Sequence, residues 1–209
     1  MQFSKINEAI RDFKKGNFVI VIDDKHRENE ADLILAAEKA TPEKINFIIK
    51  NARGLLCVPM LGERLDALKL PPMSKINSEL HQTAFAISVD VKKGTSTGIS
   101  AFDRAKTIKA LIDKKTRPDD LARPGHVFPL RCSEGGLKKR AGHTEAAIGL
   151  CRLSGMHPAA VICEIVGEDG RMAKLNEIKR FSKKHNLKIV KIMDLIGGIE
   201  KLSPENIHH

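Results

Sequence analysis

Short apolar runs alternate with segments of helical periodicity along the chain. The runs at 18–22 (FVIVI) and 159–166 (AAVICEIV) have the apolar, β-branched character of buried strands. Between such runs, apolar residues recur at helical spacing, as they do over 6–13. No linker or internal repeat interrupts the alternation. We therefore predict a single domain of the α+β class over residues 1–209, with three α/β/α layers around a mixed twisted sheet.

Residues that begin and end helices refine this prediction. Ser4, Thr41 and Ser100 each precede a helix-like segment and are expected to cap it, whereas Gly16 follows one and is expected to end it. The run AFAISV at 84–89 is predicted to be a strand. The other predicted helices lie near 63–69, 145–154 and 176–186.

The chain is strongly basic, which raises the question of nucleic-acid binding. It has 36 Lys and Arg against 26 Asp and Glu, a net charge of +10 and a pI near 9.5. A basic surface is common in nucleic-acid-binding proteins. However, Trp and Tyr are absent, so that bases would find few stacking partners, and the lysines are dispersed. We expect a small anionic ligand, with a basic nucleic-acid-binding module as the remote alternative.

Cysteine spacing and the N-terminus bear on the compartment. The four cysteines show neither a CxxC pair nor zinc-site spacing, which indicates free thiols in a reducing compartment. The N-terminus lacks the apolar core of a signal peptide, and no apolar run reaches the length of a membrane span. We predict a cytoplasmic protein without membrane contact. His208 and His209 are either native or the remnant of a tag.

The stretch DDKHRENEAD at 23–32 gathers acidic residues directly behind an apolar run. If the chain is extended here, Glu28, Glu30 and Asp32 point to one face. Converging carboxylates repel each other unless a cation or a basic partner neutralises their charge. Carboxylate oxygens are suitable ligands for Mg²⁺ or Mn²⁺. The alternative is a solvated turn in which Lys25 and Arg27 balance the charge.

The stretch KKRAGHTEAA at 138–147 combines basic residues with the start of a predicted helix. Thr144 is expected to cap that helix, so that Gly142 and His143 present N–H groups at its positive end, beside Arg140. Such an arrangement is an anion site, most simply for phosphate. The alternative is an ordinary capped helix next to a basic loop. An imidazole at 143 can also reach a metal that the ligand touches.

Glu164 interrupts the apolar run VICEIV, where alternation places it on the face of Ile162 and Val166. A carboxylate there is either a proton acceptor or an edge-strand side chain facing water. His126 stands at a loop-to-strand junction, where it is either functional or packs locally. The hydroxyl-rich loop TSTG at 95–98 is a weaker candidate contact for a sugar or an oxyanion.

Taken together, these stretches resemble the 3,4-dihydroxy-2-butanone-4-phosphate synthase family of riboflavin biosynthesis. The likeness extends over nearly the whole chain. By this resemblance, the chain is expected to convert D-ribulose 5-phosphate into a four-carbon ketone phosphate, releasing C4 as formate. The resemblance also implies Mg²⁺, for which Mn²⁺ can substitute, and a homodimer with active sites near the interface. The matching stretches are DDKHRENEADLI (23–34), TSTGISAFDRAKTI (95–108), RPGHVFPLR (123–131), KKRAGHTEAA (138–147) and AVICE (160–164).

The resemblance also implies roles for individual positions. Glu28 and His143 match the metal ligands. His126 and Glu164 match the catalytic positions and would share the proton transfers, in an order left open. Asp23, Glu30 and Cys57 fall in regions that line the family's site. The implied substrate contacts are Arg27, Glu28, Asp32, Arg140, Ala141, Gly142, His143, Thr144 and Glu164.

Two departures from the family pattern concern local loop geometry. Ala31 stands where the family usually has glycine, and Gln82 follows His81 where glycine is usual. Some members carry a GTP cyclohydrolase II domain with a cysteine zinc site, and neither the length nor the cysteine spacing of this chain predicts that domain. The alternative within enzymes is another metal-dependent phosphosugar isomerase or aldolase, because enediolate chemistry needs the same parts.

Overall fold

A computed structural model describes residues 3–201, and within that range the chain forms a seven-stranded mixed sheet in the order β4-β5-β3-β6-β2-β1-β7. The pairs β1–β7 and β3–β5 are parallel, and the other pairs are antiparallel. His208 and His209 lie outside the described residues. The strands are β1 Val19–Ile22, β2 Ala31–Ala36, β3 Cys57–Met60, β4 Val89–Val91, β5 Leu121–Arg131, β6 Ala160–Glu164 and β7 Lys188–Lys191.

Helices cover both faces of the sheet. The α2, α3, α4 and α6 helices bury side chains such as Ile45 and Ile108 against one face, and α1, α5 and α7 bury side chains such as Phe13 and Leu150 against the other. The predicted three-layer α+β fold is confirmed. That the chain forms a single domain stays a prediction. The helices are α1 Ile6–Lys14, α2 Pro42–Asn51, α3 Gly62–Ala67, α4 Ala101–Ile112, α5 His143–Leu153, α6 Leu175–His185 and α7 Ile192–Lys201.

The two-sided burial explains why the central strands are apolar throughout. On β2, Leu33 and Leu35 belong to one core, whereas Ile34 and Ala36 belong to the other. Successive side chains of a strand point to opposite faces, so a strand covered on both sides needs apolar residues at every position. Asp32 breaks this rule on β2, which singles it out before any function is considered.

Three of the predicted helix signals are confirmed. The Thr41 hydroxyl accepts a hydrogen bond from the Lys44 N–H at the start of α2, and the Ser100 hydroxyl accepts one from the Asp103 N–H at the start of α4. Gly16 has a φ of +87° just beyond α1, a conformation that favours glycine.

Three of the local predictions are wrong. Ser4 does not cap α1, because its N–H and hydroxyl bond to Ile189 of β7. Thr144 does not cap α5, which begins earlier with Gly142 at the N-cap position. Residues 84–88 do not form a strand and make only isolated bridges at Phe85 and Ala86, so that the predicted strand overlaps β4 only at Val89.

The failed strand has a specific cause. The Ala86 N–H donates to the carbonyl of Pro129, and the Ile87 N–H donates to the carbonyl of Pro71. Neither proline has an N–H to return, so a regular ladder cannot extend on either side.

None of the helices within residues 3–201 is both long and apolar enough to cross a membrane. The four cysteines, all inside that range, are buried free thiols, as their spacing predicts.

Candidate active site

A cleft of about 350 Å³ opens beside the ends of β2 and β6, where the N-terminus of α5 meets the loop between β1 and β2. Antiparallel pairing sets Asp32 directly opposite Glu164 in this part of the sheet. A larger cavity of about 880 Å³ lies between α1 and α7, but among the described residues it has Asp194 as its one carboxylate and no histidine. The predicted site residues that line the smaller cleft are Arg27, Glu28, Glu30, Asp32, Cys57, Arg140, His143, Thr144 and Glu164.

Asp23 organises the acidic loop from within. Its carboxylate accepts hydrogen bonds from the backbone N–H groups of Glu28 and Glu30, each at 2.9 Å, and from Arg27 Nη1 at 3.1 Å. Glu28 and Glu30 therefore precede β2 and reach the cleft because the loop is folded around Asp23. The predicted convergence of carboxylates is present, although strand alternation does not cause it. Asp24 remains an exposed charge.

His143 forms the centre of the charge cluster. Its Nδ1 lies 3.3 Å from Glu28 Oε2 and 3.9 Å from Asp32 Oδ1. Burial alone lowers the pKa of His143, but the charges of Asp32, Asp23 and Glu28 and the hydrogen bond to Glu28 outweigh burial and raise it to about 9. The imidazole is therefore protonated at neutral pH when no metal is bound.

The two carboxylates beside His143 are held in different states. Burial raises the pKa of Glu28, but the hydrogen bond from His143 and the charge of Arg27 have the larger combined effect and lower this pKa to about 2. Asp32 is fully buried, and burial with the charges of Glu164, Glu28 and Glu30 raises its pKa to about 7 despite His143. Glu28 thus stays ionised in a place where a second negative charge is costly.

Unpartnered polar atoms in this cluster fit a divalent cation. Among the described residues, Asp32 Oδ1 and His143 Nε2 are buried without a hydrogen-bond partner. Donor atoms of Asp23, Glu28 and His143 lie within 4.8 Å of one another. The Asp23 oxygens already accept three hydrogen bonds, so Asp23 is better suited to hold the loop than to ligate. Glu28 and His143 remain as the pair whose shared proton a hard cation can replace.

Arg140 occupies the opposite wall of the cleft, before α5. Its Nη1 pairs with Glu145 at 2.7 Å, and its Nη2 donates to the His81 carbonyl at 3.1 Å and to the Thr83 hydroxyl at 3.2 Å. Ala141 and Gly142 connect it to the helix, and His143 and Thr144 are the first helical residues. Arg140 and the positive end of α5 therefore lie at one end of the cleft, as an anion site requires.

Glu164 ends β6 at the floor of the cleft. Its Oε2 accepts a hydrogen bond from the Leu55 N–H at 2.7 Å. Gly54 packs so closely that a Cβ there would lie 2.4 Å from the same oxygen. Since β6 lies between β3 and β2, Glu164 is not an edge-strand side chain facing water. Cys57 on the adjoining strand is buried, and burial raises the pKa of its thiol.

His126 lies apart from this cleft. It stands on β5, where its Nδ1 lies 2.6 Å from Asp90 Oδ2 and its N–H donates to Asp90 Oδ1 at 2.9 Å. Gly98 packs against this pair, and the His126 side chain is 43% exposed. Within residues 3–201, the structure therefore does not bring His126 together with Glu164.

The loop at 95–98 also lies outside the cleft. Ser96 and the Gly98 N–H bond to the Asp103 carboxylate and so shape the start of α4.

Several polar residues of the site are not evident from the sequence. Asp90 orients His126, Glu145 pairs with Arg140, and Glu79 lines the cleft. Gln82 has a φ of +57°, which accounts for the glycine usual at that position in the family that the sequence resembles. An acidic residue inside the apolar run VDV (89–91) is the one signal that points to Asp90.

The sequence of this chain is similar to those of known proteins of one family. A family model described as 3,4-dihydroxy-2-butanone 4-phosphate synthase matches residues 7–197. The protein of that name from Agrobacterium fabrum is 52% identical over 200 residues, which cover 96% of this chain and 94% of that protein. Riboflavin biosynthesis protein RibBA of Endomicrobium trichonymphae is 54% identical over 195 residues, which cover 93% of this chain but 48% of that protein. The chain thus spans about half the length of such RibBA relatives.

Solved structures are similar over nearly the whole chain. A crystal structure of 3,4-dihydroxy-2-butanone 4-phosphate synthase in complex with two magnesium ions superposes with a TM-score of 0.91 at 44% identity, covering 98% of this chain and 99% of that one. The Candida albicans protein of the same name gives a TM-score of 0.87 at 48% identity, covering 95% of this chain and 99% of that one.

Proposed function

The chain belongs to the 3,4-dihydroxy-2-butanone 4-phosphate synthase family, and on that premise we propose that it converts D-ribulose 5-phosphate into 3,4-dihydroxy-2-butanone 4-phosphate and formate. One observation carries the proposal: a single cleft holds the Glu28–His143 pair, Glu164 and Arg140. Together the two products contain the same atoms as the substrate. The reaction therefore needs no oxidant or reductant, and a metal site with a proton acceptor and a phosphate site suffices.

Glu28 and His143 are proposed to hold Mg²⁺ or, as a substitute, Mn²⁺. When bound, the cation supplies positive charge that stabilises negative charge developing on the substrate oxygens. Arg27 pairs with Glu28 at 2.8 Å and so holds that carboxylate in place, while Asp32 lies deeper in the cleft and can accept a substrate hydroxyl.

The phosphate of the substrate is proposed to bind between Arg140 and the start of α5. The segment from Arg140 through Ala141, Gly142 and His143 to Thr144 wraps the positive end of that helix. Anchoring the phosphate there places the carbon chain between the cation ligands and Glu164. Fixing a flexible substrate in this way is a substantial part of the catalysis of such reactions.

Glu164 and His126 are proposed to share the proton transfers. Glu164 stands within the cleft, fixed by the Leu55 N–H, where it can take a proton from a substrate carbon. Asp90 fixes the imidazole of His126 through Nδ1, so that Nε2 is the atom free to exchange a proton.

We further propose a homodimer, because it reconciles the position of His126 with a catalytic role. Ile99 and Phe102, which follow the Gly98 turn beside His126, are 52% and 70% exposed. Exposed apolar side chains of this size favour a protein contact. A second copy docked there would bring its own His126 to the cleft of the first. We also propose a cytoplasmic location, which buried free thiols suit.

Mixing two inactive variants is expected to restore activity. In a dimer of a His126→Ala chain with a Glu164→Gln chain, one of the two sites has both residues intact if each site draws on both copies. Random pairing makes half of the dimers mixed, so about a quarter of the parent activity is expected. The measurement is formate release after co-refolding equal amounts.

A control pair comes from the same cleft. Glu164→Gln mixed with Glu28→Gln leaves every cleft defective and is expected to recover nothing. Failure of the first pair to exceed this control would contradict a site shared between two copies.

Mg²⁺ binding at pH 8 is expected to release about one proton. At that pH Glu28 and Asp32 are ionised, whereas His143, with a pKa of about 9 in the metal-free protein, is still protonated and must lose its proton to ligate. The apparent affinity should thus rise about tenfold per pH unit toward 9 and level off above it. Calorimetry in two buffers of different ionisation enthalpy measures this release. A binding enthalpy that is the same in both buffers would contradict it.

The function itself is tested by incubating the purified chain with ribulose 5-phosphate and Mg²⁺. We expect formate and a four-carbon phosphate in equal amounts, and no turnover in EDTA. Consumption of the substrate without formate would instead indicate a phosphosugar isomerase or aldolase. No consumption, together with steeply salt-dependent nucleic-acid binding, would indicate a binding module.

A further inference from the structure

We propose that Glu145 is a positioning residue that orients the guanidinium of Arg140 toward the substrate phosphate. This inference rests on the proposed function, because it concerns the phosphate end of the same cleft. Glu145 lies in the first turn of α5 and is only 1% exposed. Its Oε2 accepts a hydrogen bond from Arg140 Nη1 at 2.7 Å, and its Oε1 accepts one from the Ser133 N–H at 3.0 Å.

The carboxylate of Glu145 ties together two ends of one loop. Ser133 begins the segment that leads to Arg140, and Glu145 bonds to both. A buried carboxylate is costly unless it is paired and hydrogen-bonded, and here both oxygens have partners. Its place near the positive end of α5 lowers that cost further.

Gly142 leaves room for the guanidinium to lie in this position. A Cβ at residue 142 would lie 2.2 Å from Arg140 Nη1 and 3.0 Å from Glu145 Oε2. On the other side, Arg140 Nη2 donates to the His81 carbonyl and the Thr83 hydroxyl. The guanidinium is therefore confined before any ligand arrives, between Glu145, Gly142 and the 81–83 loop.

This confinement has a consequence for binding. A free arginine side chain loses rotamer freedom when it grips a phosphate, and that loss weakens binding. With Glu145 in place, the loss has already occurred during folding, and the remaining N–H groups of Arg140 are presented in a fixed plane. Removing the charge of Glu145 should therefore weaken phosphate affinity while the chemical step, at the other end of the cleft, changes little.

The variant Glu145→Gln tests this, because glutamine keeps the size and an acceptor for the Ser133 N–H. We expect the KM for ribulose 5-phosphate to rise about tenfold while kcat changes less than about threefold. The affinity for inorganic phosphate, measured by calorimetry in the absence of substrate, should fall by the same factor. Glu134→Gln, the same change at an exposed position of the same loop, is the matched control and should behave as the parent does.

A double-mutant cycle separates positioning from general stabilisation. In an Arg140→Gln background, Glu145→Gln should cause no further loss of phosphate affinity, because the group that it positions is absent. Additive losses, or a lowered melting temperature with unchanged KM and phosphate affinity, would overturn the proposal. If Glu145→Gln does not fold, Glu145→Asp, which keeps the charge but shortens the reach, replaces it in the same cycle with the same criteria.

Failure of this inference is distinguishable from failure of the proposed function. Phosphate binding is measured without turnover, so a parent chain that releases no formate refutes the proposed reaction and leaves the phosphate measurement intact. A parent chain that releases formate, with a Glu145→Gln variant that binds phosphate equally well, refutes the positioning role alone.

Discussion

Glu164→Gln is expected to reduce formate release by about a thousandfold without unfolding the chain. A positioned proton acceptor contributes about 10²- to 10⁴-fold to a rate, and the amide cannot take the proton. Glutamine keeps the length of the side chain and an oxygen that can accept the hydrogen bond from the Leu55 N–H. In the parent chain, Glu164 Oε2 accepts this bond at 2.7 Å. Steady-state formate production, alongside a melting curve, measures both parts of this expectation.

The matched control is Glu168→Gln, in the exposed turn just beyond β6. It makes the same chemical change four positions away and is expected to leave turnover unaltered. Near-full activity of Glu164→Gln, or an equal loss in the control, would reject Glu164 as the proton acceptor.

Glu28→Gln is expected to abolish turnover by removing a metal ligand. Loss of a residue that merely supports a ligand costs about ten- to a hundredfold in metal affinity, so loss of the ligand itself should cost more than about a hundredfold. The neutral amide also removes the negative charge that pairs with the protonated His143, whose Nδ1 lies 3.3 Å from Glu28 Oε2. Mg²⁺ affinity by calorimetry, and Mn²⁺ affinity by electron paramagnetic resonance, report the loss independently of catalysis.

Asp24→Asn provides the control for Glu28→Gln, because it removes one negative charge from the same loop at an exposed position. Its Mg²⁺ affinity should stay within about twofold of the parent value, since exposed charges are largely screened. Parent-like Mg²⁺ binding by Glu28→Gln would show that the cation is held elsewhere.

Local patterns predict the layers of the fold but not every strand. Continuous apolar runs such as VIVI (19–22) and LILA (33–36) identify the central strands, because burial on both faces demands apolar residues at nearly every position. The residues 84–88 have the same character and still form only isolated bridges, because their neighbours include Pro71 and Pro129, which have no N–H to donate. The segments that lie beside a strand are determined by the tertiary fold. They cannot be predicted from the sequence of the strand itself.

In the candidate site too, some residues can be predicted from local sequence and others depend on the tertiary fold. The residue types around Glu28 and His143 indicate a cation or anion site, with a solvated turn and an ordinary capped helix as the alternatives, and their role as metal ligands stays a proposal. Glu145 is not predictable, since an acidic residue in the first turn of a helix is common and needs no partner. The separation of His126 from Glu164 is also beyond the sequence, because strand order places β5 on the far side of β3 from β6.

Ribulose 5-phosphate labelled with ¹³C at C4 distinguishes the proposed reaction from any other use of this cleft. Incubated with the Mg²⁺-loaded chain and followed by ¹³C NMR, it is expected to give labelled formate and an unlabelled four-carbon phosphate in equal amounts. Label retained in a phosphorylated product, or formate without label, would contradict the assignment.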